Sequence, residues 1–146
     1  MACRGHQLGL PCRRRGGARK ANSSNHGPEF SFSQFGEIYF STIYYNSIKG
    51  WHLHKEATLN YVCVKGEVKL VLFDDREGSP TKGEYQELIL SPKNYFLVTI
   101  PPNIWNGFKG IDKSESIITN CLTLPHNEKE MVRRDPHDKY FKYDWS

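Results

Sequence analysis

From residue 36 to residue 124 the chain is a succession of short apolar runs, each closed by Gly, Pro, Asn or Asp within a few residues. No feature constrains its fold more. Residues 36–45 (GEIYFSTIYY) are dense in aromatic and β-branched side chains, which suit a pleated surface. Residues 58–64 and 67–73 flank Lys65-Gly66, a tight-turn signal, and Glu67-Val68-Lys69-Leu70 alternates polar and apolar as a half-buried strand does. A long polar turn spans 74–83 with Gly78, Pro80 and Gly83, and further runs follow at 84–90, 96–100, 104–109 and 116–124. A helical stripe is absent, apart from one or two turns expected within residues 127–134. With no internal repeat, this pattern predicts an all-β sandwich or jelly-roll barrel of seven or eight strands.

The net charge of +4 misleads, because it is unevenly placed. Arg4, Arg13, Arg14, Arg15, Arg19 and Lys20 come before any acid, and without them 14 basic side chains face 16 acidic ones. A mildly acidic body gives no basic stripe for nucleic acid. Residues 1–30 lack an apolar period and are rich in Arg, Gly, Ser and Asn, so they read as a disordered basic leader or a vector-derived segment, with one domain over residues 31–146. Leu8-Gly9-Leu10 is far shorter than the ~7–15-residue apolar core of a secretory signal. Nothing approaches the ~20 apolar residues of a membrane helix. Cys63 and Cys121 lie inside apolar runs and are expected as free thiols in a cytoplasmic protein.

Lys49-Gly50-Trp51-His52-Leu53-His54-Lys55 carries the chemistry. On a strand, His52 and His54 share a face, because residues two apart point the same way. From the residues alone, three jobs stay open: metal ligation, acid–base or ligand binding, and structure. The pair, followed by Gly66 twelve residues after His54, resembles the first metal motif of the cupin superfamily. The Glu of that motif falls at Leu59, however, and the second motif ends on Asn106 (Pro101-Pro102-Asn103-Ile104-Trp105-Asn106) where a His belongs. A neutral amide is a poor transition-metal ligand, so neither metal nor other cofactor is expected.

Four segments extend the likeness: Gly50-Trp51-His52, Lys65-Gly66-Glu67-Val68, the run Asp74-Asp75-Arg76-Glu77-Gly78-Ser79-Pro80-Thr81-Lys82-Gly83, and Ile100-Pro101-Pro102 with Asn106-Gly107-Phe108. Together they resemble the dTDP-4-dehydrorhamnose 3,5-epimerases, sugar-nucleotide enzymes of the cupin jelly-roll fold, from about Gly36 to Trp145. A short subgroup bearing GWHLHK and a terminal YDW is most similar.

The resemblance implies that a 4-keto group acidifies the neighbouring C–H bonds of a nucleotide-linked 4-keto-6-deoxyhexose. A histidine then removes a proton, and one returns on the opposite face, giving 3,5- or 3-epimerisation in surface-polysaccharide or lipopolysaccharide synthesis. His52 matches the catalytic base. Lys49 stands where the family has a phosphate-binding Arg. Glu37, Tyr39, His54, Asn106 and Thr119 are the other expected substrate contacts, with Thr119 where the family has its proton-donating Tyr. The family's enolate-supporting Lys falls at Leu59, and the acid that orients its base lies in a C-terminal extension without a counterpart here. A homodimer is implied as well. Two alternatives stay open: a dTDP-4-oxo-sugar 3,4-ketoisomerase, whose HxHK segment resembles His52-Leu53-His54-Lys55, and a non-catalytic nucleotide-sugar-binding cupin.

Overall fold

A computed structural model describes the backbone of residues 12–14 and the whole of residues 34–146. Among these residues ten strands form two five-stranded antiparallel sheets, the expected all-β jelly roll. One sheet has the order β1 (Cys12–Arg14), β7 (Phe96–Ile100), β4 (Leu59–Lys65), β9 (Ser116–Leu122), β2 (Glu37–Ile43). The other has the order β10 (Met131–Arg133), β3 (Ile48–His54), β8 (Ile104–Gly110), β5 (Val68–Asp74), β6 (Tyr85–Leu90).

Two strands differ from expectation. Cys12–Arg14, inside the segment read as an unordered leader, pairs antiparallel with β7; the rest of residues 1–30 lies outside the described residues. Met131–Arg133, where helical turns were expected, pairs with β3 instead, Arg133 opposite His52. Open backbone groups on the β3 edge offer this segment more hydrogen bonds than an isolated helical turn can make.

Alternation along the strands sends one set of side chains between the sheets. Leu59, Val68, Leu70, Leu72, Ile100 and Ile118 are fully buried there. A second apolar layer covers the outer face of the β3–β8–β5 sheet, where Trp51, Val71, Phe73 and Trp105 meet Phe141 and Trp145 from the C-terminal segment. Hence β5 is buried on both faces, and the alternation seen at its start gives way to a continuous apolar run. Trp51 stacks on Phe141 at 4.4 Å between ring centroids and lies 5.0 Å from Trp145. Glycine is required at 107 by this close packing: a Cβ there would come within 3.0 Å of the Trp145 ring. The terminal Tyr-Asp-Trp is thus a packing element.

The run 74–83 also proves structural. Asp74, fully buried, accepts hydrogen bonds from Arg76 Nε (2.9 Å) and Nη2 (2.7 Å), Ser79 Oγ (2.7 Å) and Thr81 Oγ1 (2.7 Å). Burial alone would push its carboxyl up, but the Arg76, Thr81 and Ser79 donors outweigh that and hold it well below the usual carboxylate range. Cys63 is a buried free thiol as expected, whereas Cys121 is only half-buried. Among the described residues, no helix is long and apolar enough to cross a membrane.

Candidate active site

A cavity of about 430 Å³ opens between the sheets at one end of the barrel. Strand β3 contributes Lys49, His52 and His54 to its wall. The register of β3 against β8 shifts between Lys49 and His52, so these two, three residues apart, face the same space. Beyond the bulge ordinary alternation resumes. His52 and His54 point inward, as expected, while Trp51 and Leu53 enter the outer apolar layer. Behind the bulge lie Gly50 and Gly107, so close that a Cβ on Gly50 would be 2.9 Å from the Gly107 Cα.

His54 Nδ1 lies 2.7 Å from Glu130 Oε2, with both side chains buried. The second Glu130 oxygen accepts the backbone N–H groups of Glu56 (3.0 Å) and Ala57 (2.8 Å). Burial would raise the Glu130 carboxyl, but these two N–H groups and the His54 ring prevail and hold it below its ordinary value. A carboxylate on Nδ1 fixes the ring tautomer, leaving Nε2 as the basic atom. Among the described residues, no group of three or more His, Cys, Asp or Glu side chains is arranged to hold a metal ion.

His52 has a different environment. Burial, then the positive charge of Arg133, the His54 ring and Lys49, lower it from 6.5 to about 4. The unfolded chain therefore binds more protons at this site between pH 4 and 6.5, so its contribution to stability is complete above 6.5 and is lost as pH falls toward 4. The effect is on the order of 3 kcal/mol. Urea unfolding at pH 7.5 and pH 4.5 should show a smaller loss for His52→Asn than for the parent; equal losses would contradict this environment.

The opposite sheet supplies Glu37, Tyr39 and Ser41 from β2 and Tyr61 from β4. The Tyr39 hydroxyl accepts a hydrogen bond from Asn120 Nδ2 (3.0 Å), and Tyr61 donates to Asn106 Oδ1 (3.3 Å). Burial and the neighbouring Tyr39 push the Tyr61 phenol well above its ordinary value.

Glu37, Tyr39, Lys49, His52 and His54 thus share one cavity. Two other expected contacts do not. Asn106 is fully buried behind the wall, where its Nδ2 donates to the His52 carbonyl (3.0 Å), so it braces the strand. Thr119 sits between inward-facing Ile118 and Asn120 and points to the other side of β9. A one-residue offset in a strand exchanges faces, and Asn120 holds the inward position. Tyr61, Glu130 and Arg133 were missed. The period-two pattern Leu59, Tyr61, Cys63 carried the signal for Tyr61. Reading 127–134 as helical turns hid Glu130 and Arg133.

Residues 18–146 match the profile of the dTDP-4-dehydrorhamnose 3,5-epimerase family. A dTDP sugar isomerase from Desulfovibrio desulfuricans G20 superimposes with a TM-score of 0.77 at 32% identity, covering 93% of this chain and 87% of that one. A probable low-salt glycan biosynthesis epimerase of Haloferax volcanii is 35% identical over 107 residues, 73% of this chain and 65% of the relative. A spore coat polysaccharide biosynthesis protein of Bacillus subtilis is 27% identical over 77% of this chain and 76% of its own length. With histidines and phenols facing each other across one cavity of a jelly roll, and a profile match over most of its length, the chain belongs to the dTDP-4-dehydrorhamnose 3,5-epimerase family.

Proposed function

We propose that this protein epimerises a carbon next to the 4-keto group of a dTDP-linked 4-keto-6-deoxyhexose, at C3 or at both C3 and C5. One observation carries the reading: His52 and His54 enter the cavity from one sheet while Tyr39 and Tyr61 enter from the other. Epimerisation removes a proton from one face of a sugar ring and returns one to the opposite face. A ring held between the sheets has imidazoles on one side and phenols on the other, as that chemistry needs. His52 meets the reacting end of the sugar. Lys49 and Arg133 flank it and supply positive charge for the diphosphate, with Arg133 offering a two-pronged guanidinium that Lys49 lacks. Glu37 is available to accept hydrogen bonds from sugar hydroxyls or the thymine N–H.

The test is incubation with dTDP-4-keto-6-deoxyglucose in deuterated water. Deuterium entering C3 or C5 supports the reading, and Arg133→Ala should weaken dTDP binding about tenfold, most strongly at low salt. A second reading, 3,4-ketoisomerisation, draws on His54 facing the cavity beside His52, and a 3-keto product would select it. Saturable dTDP binding without exchange would leave a nucleotide-sugar-binding module.

The glycan and spore-coat relatives support a place in surface-polysaccharide synthesis, which a cytoplasmic sugar-nucleotide enzyme would serve. Among the described residues strand β2 is an edge of its sheet, and it exposes Ile38 and Phe40, which supports a homodimer. Sedimentation at micromolar concentration decides that point, a monomer counting against it.

A further inference from the structure

We infer that His54, braced by Glu130, is the proton-abstracting base of this chain, while His52 donates a hydrogen bond to the sugar's C4 oxygen. The inference rests on the epimerase reading above and assigns its proton-transfer steps.

Geometry separates the two imidazoles. His54 is buried, with Nδ1 on a carboxylate 2.7 Å away, and that carboxylate is itself held by two backbone N–H groups. A ring fixed in this way keeps its Nε2 lone pair available, and the carboxylate stabilises the imidazolium that forms when it takes a proton. Among the described residues no such acid is bonded to the His52 ring; its register partner on β10 is Arg133, and Lys49 lies across the bulge. A proton stored on His52 would add a third positive charge there. With its titration lowered to about 4 by burial and by these cations, His52 is a neutral imidazole at ordinary pH, suited to donating toward an oxygen where negative charge develops. In this way His52 does the work of the enolate-supporting lysine that position 59 lacks, while Lys49 and Arg133 stay with the diphosphate.

The proton balance closes. The C–H bond next to the keto carbon breaks, its electron pair becomes the enolate double bond, and its proton goes to His54 Nε2. A phenol of the Tyr39–Tyr61 pair then protonates the opposite face, and the phenolate regains a proton from the imidazolium through solvent. No oxidant or reductant is consumed. Besides Glu130, the charged and titratable groups sharing the cavity with His54 are His52 and Lys49 on its own strand, Arg133 on β10, Glu37 and Tyr39 on β2, Tyr61 on β4, and His126 after β9, whose ring lies 4.0 Å from Glu37.

The discriminating experiment is the pH profile of deuterium wash-in for the full chain and for Glu130→Gln, with dTDP affinity measured alongside. Losing the carboxylate should slow exchange at least thirtyfold and move the acid limb to lower pH by about one unit, with dTDP affinity within threefold of the parent. His54→Gln, which leaves Glu130 on its backbone donors, should lose exchange and still bind dTDP. Slower exchange with an unmoved limb would make Glu130 a structural brace and overturn the assignment. Exchange within threefold of the parent in His54→Gln would overturn it as well, leaving the epimerase reading intact. If the parent itself binds dTDP but exchanges no deuterium, the epimerase reading falls and takes this assignment with it.

Discussion

His52→Asn is expected to cut deuterium incorporation into a dTDP-4-keto-6-deoxy sugar by about 10²–10⁴-fold, the range for removing one positioned acid–base or oxyanion-stabilising group. dTDP affinity should change only a few-fold, because Lys49 and Arg133 remain. The substitution is mild for the fold: the His52 ring faces the cavity, and what ties this residue to β8 is its backbone carbonyl, held by Asn106. Thermal unfolding at pH 7.5 should therefore shift little, separating lost chemistry from lost structure. Exchange within tenfold of the parent would remove His52 from the site.

Trp145→Ala should have the largest effect on stability, about 3–5 kcal/mol, as expected for deleting a buried Trp side chain. For a domain of this size the melting temperature should fall by some 10–25 °C. Trp145 is 3% exposed, contacts Trp51 and Tyr143, donates its indole N–H to the Pro136 carbonyl (3.0 Å) and lies over Gly107. Its carbonyl accepts Lys109 Nζ at 2.6 Å, fixing the chain end to β8. The consequence extends to the cavity, since Gly107 and Gly50 back the bulge that turns Lys49 and His52 inward. Activity measured well below the new melting point should fall as well, and Trp145→Phe should recover part of both. A melting temperature within 3 °C of the parent would show that the C-terminal segment is dispensable to the barrel.

The strands of the barrel were legible because period-two alternation and turn residues act locally. Leu59, Tyr61 and Cys63 face inward because neighbouring Cβ atoms alternate, and Gly66 turns the chain at a positive φ of 71°. His52 and His54 on one face followed from the same rule. β10 did not, because three residues have no autonomous preference and take their conformation from the open edge of β3. Thr119 was misjudged for a related reason. A strand tolerates no error of one residue when faces are inferred from alignment, and Asn120 holds the inward place.

By itself, the sequence determined the fold class, the family motifs and the strand that carries two imidazoles, all of which depend on neighbours a few residues apart. Only the tertiary structure decided how the imidazoles differ. Glu130 reaches His54 from 76 positions away, and Arg133 comes to His52 through pairing of β10 with β3. The electrostatics of a histidine depend on charges within a few ångströms, and long-range strand pairing rather than chain order sets which charges those are.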